Sequence, residues 1–220
     1  IGAQGQSELL DPERSTNYEV GLRSQPSRAF FGEATFFLQR FTNQIVPNTT
    51  PGGITELVNA GATQSFGGDF AAQVRLGEEF DLGADIDLPA RAGVFRSEFL
   101  SGPVEGNSLP YAPTYTVSGT AFGGIPSLGI SLGVTVTHVG PQFADDANTV
   151  AEDITGRTGE IDAYTVLDLV ARYDEKHSGV GVFATAKSLL DDPFIIARRP
   201  EGIHTSGFRQ VNVGLSHRLP

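Results

Sequence analysis

The segment most suggestive of catalysis is Gly129 to Gly133, which reads GISLG and matches the G-x-S-x-G pattern of serine hydrolases. In that pattern the serine is a nucleophile held on a sharp turn between a strand and a helix, within reach of a base. Here apolar and polar positions continue to alternate as far as Val136, which predicts a strand and no helix after Ser131. We therefore interpret Ser131 as a strand residue and expect no catalytic residue, with a soluble β-sandwich hydrolase as an alternative.

Two other groups of side chains could bind a metal ion. The histidines lie in separate segments, without the close spacing that a shared ion requires. The acidic group is closer together and Ca²⁺ prefers carboxylate oxygens, but its order does not match the EF-hand pattern. We interpret both groups as rim or loop residues and predict no metal site and no cofactor. The alternatives for the acidic group are a Ca²⁺ site and bridging of an anionic glycolipid by divalent cations. The residues are His138, His177, His204 and His217, and Asp145, Asp146, Glu152 and Asp153.

Arginines are the better candidates for ligand binding. Arg198 and Arg199 are adjacent in the last long connecting segment, and Arg157 lies in the one before it. A guanidinium group presents a rigid fork of donors that matches carboxylates and phosphates. These three arginines are therefore candidates for binding an anionic ligand, and the alternatives are that they are surface charges or contact phosphate headgroups of lipids.

The amino-acid composition excludes some classes of binding partner and some kinds of membrane segment. A net charge of -11 argues against a nucleic-acid partner, because phosphate binding needs a basic face. There is no Cys, so neither a disulfide nor a thiol nucleophile is available. No apolar run reaches about 18 residues, which excludes a transmembrane helix but not a membrane-spanning strand. The sequence contains no Met, so we expect an N-terminal portion to precede it.

A period-two alternation of apolar and polar residues predicts the secondary-structure elements that position these residues. Positions 130, 132, 134 and 136 are apolar, for example, whereas positions 131, 133, 135 and 137 are small or hydroxyl-bearing. Successive side chains of a strand point to opposite faces, so each such run has one apolar and one polar face. No window shows a helical period, and the chain is predicted to be all-β with nine strands. They are expected near 15–23, 29–42, 58–76, 82–100, 113–123, 128–142, 164–173, 179–188 and 208–219.

Short and long connections alternate between these strands. The long ones are 43–57, 101–112, 143–163 and 189–207. Tight turns at one end and long loops at the other are typical of an antiparallel transmembrane β-barrel of the bacterial outer membrane. The charged face must then meet water or a polar plug, and the apolar face must meet lipid. Because nine is an odd number and open edges are not tolerated in hydrocarbon, we expect the chain to be an incomplete part of a larger barrel.

Several segments resemble a known family in the right order. Gln142 to Ile161 reads QFADDANTVAEDITGRTGEI, Val182 to Ile195 reads VFATAKSLLDDPFI, and Gly207 to Ser216 reads GFRQVNVGLS. The first is similar to an outer loop of ferric dicitrate transporters, and the other two to the last hairpin of TonB-dependent receptors. The chain thus resembles the C-terminal barrel portion of a TonB-dependent outer-membrane receptor, most closely a ferric dicitrate transporter. Further matching segments are Pro12 to Arg23, Asn43 to Pro47, Asn59 to Phe70 and Gly106 to Gly119.

The resemblance implies a function and a set of partners. Residues 1–220 would be the C-terminal part of a barrel of about 22 strands, with the plug domain and early strands absent. The full protein would sit in the outer membrane of a Gram-negative bacterium, among lipid and lipopolysaccharide, and import a ferric chelate (a siderophore or ferric citrate). Import would be coupled to TonB through the missing N-terminal region, and Arg157, Arg198 and Arg199 would meet the anionic chelate. The alternative is a non-transporting surface barrel, such as an adhesin or a docking site for phages or colicins.

Overall fold

A computed structural model describes residues 10–49, 55–59, 61–77, 80, 82–199 and 201–217. The regular elements of these residues are β-strands, and none of the described residues belongs to a helix long and apolar enough to cross a membrane. The strands are β1 Arg14–Ser24, β2 Phe30–Thr42, β3 Ile45–Thr49, β4 Thr55–Asn59, β5 Ala62–Arg75, β6 Asp85–Phe99, β7 Tyr115–Ile125, β8 Ile130–Val139, β9 Gln142–Phe143, β10 Glu160–Ile161, β11 Tyr164–Asp174, β12 Val180–Lys187, β13 Ile195–Arg199, β14 Gly202–Thr205 and β15 Gln210–His217.

Nine strands form one antiparallel sheet, in the order β1, β2, β5, β6, β7, β8, β11, β12 and β15. We call this sheet the wall. Each of its strands pairs with the wall strand that follows it in sequence, so the wall is a meander without crossovers. The nine strands predicted from the alternation are therefore confirmed with shifted ends, except that positions 218–219 of the last one lie outside the described residues.

One predicted strand, 58–76, proves to be parts of two elements. β4 ends at Asn59 and β5 begins at Ala62. Gly61 between them has a φ of +91°, and a Cβ there would lie 2.5 Å from Ser101 Oγ. Glycine adopts this left-handed conformation at little cost, and it turns the chain out of strand geometry. The alternating sequence pattern therefore continues through a position where the strand itself is interrupted by a turn.

The long connections contain short strands that the sequence pattern did not predict. β3 pairs with β4, β9 with β10 and β13 with β14, each as a two-stranded sheet outside the wall. These strands are two to five residues long. Such lengths give at most two periods of alternation, too little to distinguish a strand from a loop.

The register of the wall confirms one apolar and one polar face. Residues directly opposite each other on paired strands share a face. Val20 lies opposite Phe36, and Gly68 on the next strand lies opposite both Phe36 and Val94. The apolar side chains of Val20, Phe36 and Val94 therefore form one row. The three side chains are 68%, 53% and 53% exposed in that order. A large exposed apolar face is unfavourable in water and fits a lipid environment.

Almost none of the described side chains are buried, whereas a soluble domain has a buried hydrophobic core. Ile161 is the one described hydrophobic side chain that is fully buried, and it lies in β10, outside the wall. A β-sandwich would instead bury one face of the wall against a second sheet. The additional sheets in the described residues have two strands each, too small to cover a nine-stranded wall. The fold is thus an antiparallel barrel wall and not a sandwich.

Candidate functional site

Three long connections meet at one end of the wall. They are loop 6–7 (residues 100–114), loop 8–11 (140–163) and loop 12–15 (188–209, described except for 200). We call the structure that they form the loop assembly. The short turns lie at the opposite end of the wall, because every wall strand is antiparallel to its neighbours.

Loop 6–7 and loop 8–11 are joined through Asn148. Its side-chain oxygen accepts from the backbone N–H of Ser108 at 2.7 Å, and its Nδ2 donates to the Ser108 carbonyl at 2.8 Å. Asn148 itself has a φ of +54°, a left-handed conformation that asparagine tolerates better than most residues. Asn107 adds a bond from its Nδ2 to the Asp146 carbonyl at 2.9 Å. The side-chain amide of Asn148 thus makes two hydrogen bonds with the backbone of Ser108, as the backbone of a neighbouring strand would.

Arg198 joins loop 12–15 to loop 8–11. Its side chain is 5% exposed, and Nη1 donates to the carbonyl of Gly156 at 2.7 Å. The same guanidinium group lies 3.2 Å from Glu152, whose side chain is 55% exposed. Arg198 Nε is buried without a hydrogen-bond partner among the described residues. Burial and these two partners make Arg198 an internal connection of the loop assembly.

Tyr111 connects loop 6–7 to the same arginine pair. Its hydroxyl donates to the backbone carbonyl of Arg198, and its backbone N–H donates to Phe143 at 2.9 Å. The guanidinium carbon of Arg199 lies 4.6 Å from the centre of the Tyr111 ring, a cation–π distance. Arg199 is itself exposed. The ring therefore orients a charged group that solvent and solutes can reach.

At Gly156, loop 8–11 passes close to loop 12–15. This glycine is buried and has a φ of +67°, and a Cβ there would lie 2.5 Å from Ile203 Cδ1. Both the backbone conformation and the space favour glycine at this position. Close approach in turn brings the Gly156 carbonyl within reach of Arg198.

Arg157 follows Gly156 directly and is exposed. Its backbone N–H donates to Asp153 Oδ1 at 2.9 Å. The Thr155 hydroxyl, together with the backbone N–H groups of Arg157 and Thr158, holds the pKa of Asp153 below its ordinary value, against a smaller opposing effect of burial. Asp153 is thus engaged in shaping the turn that carries Arg157.

Two other acidic residues of loop 8–11 also have structural partners. Glu152 pairs with Arg198, and Asp145 Oδ1 accepts from the backbone N–H of Thr149 at 3.0 Å. Within the described part of the chain, no three His, Asp or Glu side chains are grouped so that they could hold a metal ion.

The structure therefore brings the three predicted arginines to the loop assembly in different settings. Arg198 is buried and paired, Arg199 is exposed on the Tyr111 ring, and Arg157 is exposed on a turn next to the Arg198 contact. Their role in ligand binding stays a prediction. Sequence reasoning missed Tyr111 and Asn148, although both lie in segments that carry the family resemblance.

Ser131 and His138 occupy structural positions in the wall. Ser131 lies in β8, opposite Gly124 and Arg172 of the neighbouring strands, and the strand continues to Val139. His138 stacks on Tyr115 with 5.7 Å between ring centres, and its Nδ1 lies 2.9 Å from Thr165 Oγ1. The strand-to-helix turn of a serine hydrolase is not found at Ser131.

The polar face of the wall carries a second group of charges. Arg23 Nη2 lies 2.9 Å from Glu33, and Gln73 donates to both oxygens of Asp87, at 2.8 and 2.9 Å. Next to them lies a groove of about 730 Å³, lined in part by Glu33, Asp69 and Arg91. This face presents both signs of charge, as expected of a surface that meets water or a polar domain.

Comparison with known proteins identifies one family. The family model described as TonB dependent receptor-like, beta-barrel, matches residues 2–187. The pesticin receptor of Yersinia enterocolitica is 30% identical over 150 residues, which are 64% of this chain and 20% of that protein. This chain thus spans about a fifth of the length of that relative.

Solved structures agree with this fold. The unliganded ferric citrate transporter FecA superposes with a TM-score of 0.74 at 23% identity, over 93% of this chain and 31% of that chain. The siderophore receptor PiuA from Acinetobacter baumannii superposes with a TM-score of 0.76 at 16% identity, over 98% of this chain and 30% of that chain. At these identities the superpositions establish the fold alone.

Proposed function

This chain belongs to the TonB dependent receptor-like β-barrel family, and on that premise we propose that the complete protein imports a ferric chelate, a siderophore or ferric citrate, coupled to TonB. Proteins of this family and its solved neighbours lie in the outer membrane of Gram-negative bacteria, and they are receptors and transporters. The apolar face of the wall accordingly meets lipid. The neighbours named for ferric citrate and siderophores support iron as the cargo.

In this proposal residues 1–220 are the C-terminal part of a barrel of about 22 strands that encloses a plug domain. Further strands then pair with the two edges of the wall, β1 and β15, because unpaired edges are not tolerated in lipid. The long loops lie outside the cell and the short turns face the periplasm, as in other barrels of this type. TonB contacts the N-terminal region of the complete protein.

The observation that supports chelate binding by this chain is Arg199 on the Tyr111 ring. The contact holds an exposed cation in place before a ligand arrives, which reduces the entropy lost on binding. A ferric chelate with carboxylates is anionic, and the guanidinium fork matches its oxygens. Arg157 supplies a second exposed cation, and we propose that Arg198 acts mainly by positioning both loops.

The test is calorimetric titration of the purified full-length protein in detergent with ferric citrate, with iron-free citrate as the control. Arg199→Ala should weaken ferric citrate binding roughly tenfold or more, the value of one charge-assisted contact. Arg209→Ala is the matched control, since Arg209 is an exposed arginine of the same loop that pairs with Asp191 at 3.4 Å. Equal binding by Arg199→Ala and wild type would remove Arg199 from the site. Absence of ferric citrate binding by the wild type would withdraw this ligand and direct the titration to siderophores.

A second function, surface docking without transport, has one observation in its favour. The curated relative is named a receptor for pesticin and not a transporter. Uptake of radioactive iron by cells that carry the gene, with and without TonB, separates the two proposals. Iron accumulation that requires TonB supports import, whereas ligand binding without accumulation supports docking.

A further inference from the structure

The apolar face of the wall carries arginines at the end where the long loops begin, and we propose that Arg40 and Arg96 bind phosphate groups of the anionic glycolipid in the outer leaflet. Arg40 lies opposite Gln64, and Gln64 lies opposite Glu98, so these three residues form one row across β2, β5 and β6. Arg96 is two residues from Glu98 on β6 and therefore faces the same side.

The two arginines are held in the same manner. Arg40 Nε donates to Gln64 Oε1 at 2.8 Å, and Arg96 Nε lies 2.7 Å from Glu98 Oε2. In each case the contact uses Nε, and no hydrogen bond joins the terminal amino groups to another described residue. The Arg96 side chain is 61% exposed, whereas that of Glu98 is 18% exposed. Each guanidinium group is thus oriented by a neighbour while its terminal amino groups stay free for a ligand.

Two arginines on the polar face, Arg172 and Arg23, differ in this respect. Arg172 donates from Nε and Nη2 to both oxygens of Asp174, at 2.6 and 2.7 Å. Arg23 donates to Glu33 from Nε and lies equally close through Nη2, at 2.9 Å each. In both pairs the edge of the guanidinium group that matches an anion is occupied by a carboxylate. Arg40 and Arg96 thus differ from these two pairs, because their polar contacts with described residues use Nε alone.

The position of the pair fits a lipid headgroup and not a solute inside the barrel. The row next to Arg40 toward the short turns holds Tyr18, Leu38 and Phe66, and Phe66 lies directly opposite Arg96. The arginines thus stand where apolar side chains give way to the long loops. Arg14, on the same face one row beyond Arg40, adds a third cation. Phosphate groups at the surface of a membrane attract such cations.

Charge adds a second argument. The chain carries a net charge of -11, so a general attraction to anionic lipid is not expected of it. On this part of the apolar face Arg14, Arg40 and Arg96 stand with one acidic residue, Glu98. A local excess of positive charge on an acidic protein is best explained by an anionic partner at that place. This inference depends on the outer-membrane location and not on the imported ligand, so either can fail without the other.

The test uses the full-length protein, delipidated in detergent and titrated with lipid A that carries both phosphates, with bound lipid counted by native mass spectrometry. The Arg40→Gln/Arg96→Gln double variant should bind this lipid A roughly 30-fold more weakly. Arg91→Gln is the matched control, because Arg91 is an exposed cation of the same strand, β6, on the polar face. The double variant Arg40→Lys/Arg96→Lys keeps the charge and should retain most of the binding.

Lipid A without phosphates separates headgroup recognition from contact with the acyl chains. Wild type should bind it about as weakly as the double Gln variant binds the phosphorylated form. Heat modifiability on gels checks that every variant is a folded barrel. Equal affinity of the double Gln variant and wild type for phosphorylated lipid A, or an equal loss in Arg91→Gln, would overturn the proposal.

Discussion

The wall and the loop assembly are held together in opposite ways. β5 and β6 pair at thirteen consecutive positions, from Thr63 to Arg75, and the other wall strands pair in the same repetitive manner. In the loop assembly, single side chains join residues far apart in sequence. Asn148 bonds to a residue 40 positions away, and Tyr111 to one 87 positions away.

This difference predicts where each region is sensitive to mutation. A wall strand is fixed by many backbone bonds, so one side chain changes its pairing little. What the wall cannot tolerate is a charge on the face that meets lipid. The loop assembly has few links, so each of its buried connecting residues should account for a large part of the local stability.

The largest effect is expected for Val134→Arg in the wall. Val134 is the middle one of five apolar-face positions of β8 and lies opposite Ala121 and Leu169. An arginine there should destabilise the barrel by about 2–4 kcal/mol, because the charge enters the lipid core. Thr135→Arg, on the polar face between Thr120 and Asp168, should change stability little. Thermal midpoints of the full-length protein, measured by heat modifiability, test the pair. Similar losses in both variants would contradict the assignment of the faces.

Arg198→Ala should have the next largest effect, confined to the loop assembly. It removes the bonds to Gly156 and Glu152 and leaves a buried carbonyl unsatisfied. The free energy of local opening should fall by about 1–3 kcal/mol. Hydrogen exchange should then speed up in loop 8–11 and loop 12–15 while amides of β8 and β11 keep their protection. Faster exchange throughout the wall would mean that the two regions are not independent.

The smallest effect is expected at a short turn of the wall, in the pH dependence of Glu175. Its carboxylate accepts from the Ser178 hydroxyl at 2.6 Å and from the backbone N–H groups of Ser178 and His177. These bonds lower the pKa of Glu175 from 4.5 to about 2. Because the folded pKa is the lower one, the contribution of Glu175 to the turn is complete above pH 4.5 and is lost as the pH falls toward 2.

Chemical shifts of the His177 and Ser178 amides should follow this titration, with a midpoint near 2. Glu175→Gln should abolish the pH dependence of these shifts. A midpoint near 4.5 in the wild type would mean that the carboxylate does not form the turn bonds in solution.

The wall could be predicted from the sequence because its pattern is local. A period of two over eight or more residues identifies a strand and its faces without knowledge of its partner. Alternating long and short connections then give antiparallel neighbours. The errors arose where the pattern was too short or was broken by the backbone, as in β9, β13 and the turn at Gly61.

The candidate site was predicted in part. Guanidinium chemistry and the resemblance singled out Arg157, Arg198 and Arg199, and all three lie in the loop assembly. Their different settings could not be predicted, because burial of Arg198 depends on the approach of Gly156 and Ile203 from separate loops. Tyr111 contacts Arg199 in the structure, but its local sequence does not distinguish it from the other tyrosines.

The sequence by itself thus determined the strands, the two faces of the wall and the kind of membrane that suits them, since each follows from neighbouring residues and their polarity. Tertiary structure alone decided which arginine is buried, which is exposed and which side chains join the loops. The physical reason is distance along the chain. A contact between residues 40 to 87 positions apart depends on how the intervening strands place them, and no local pattern records that placement.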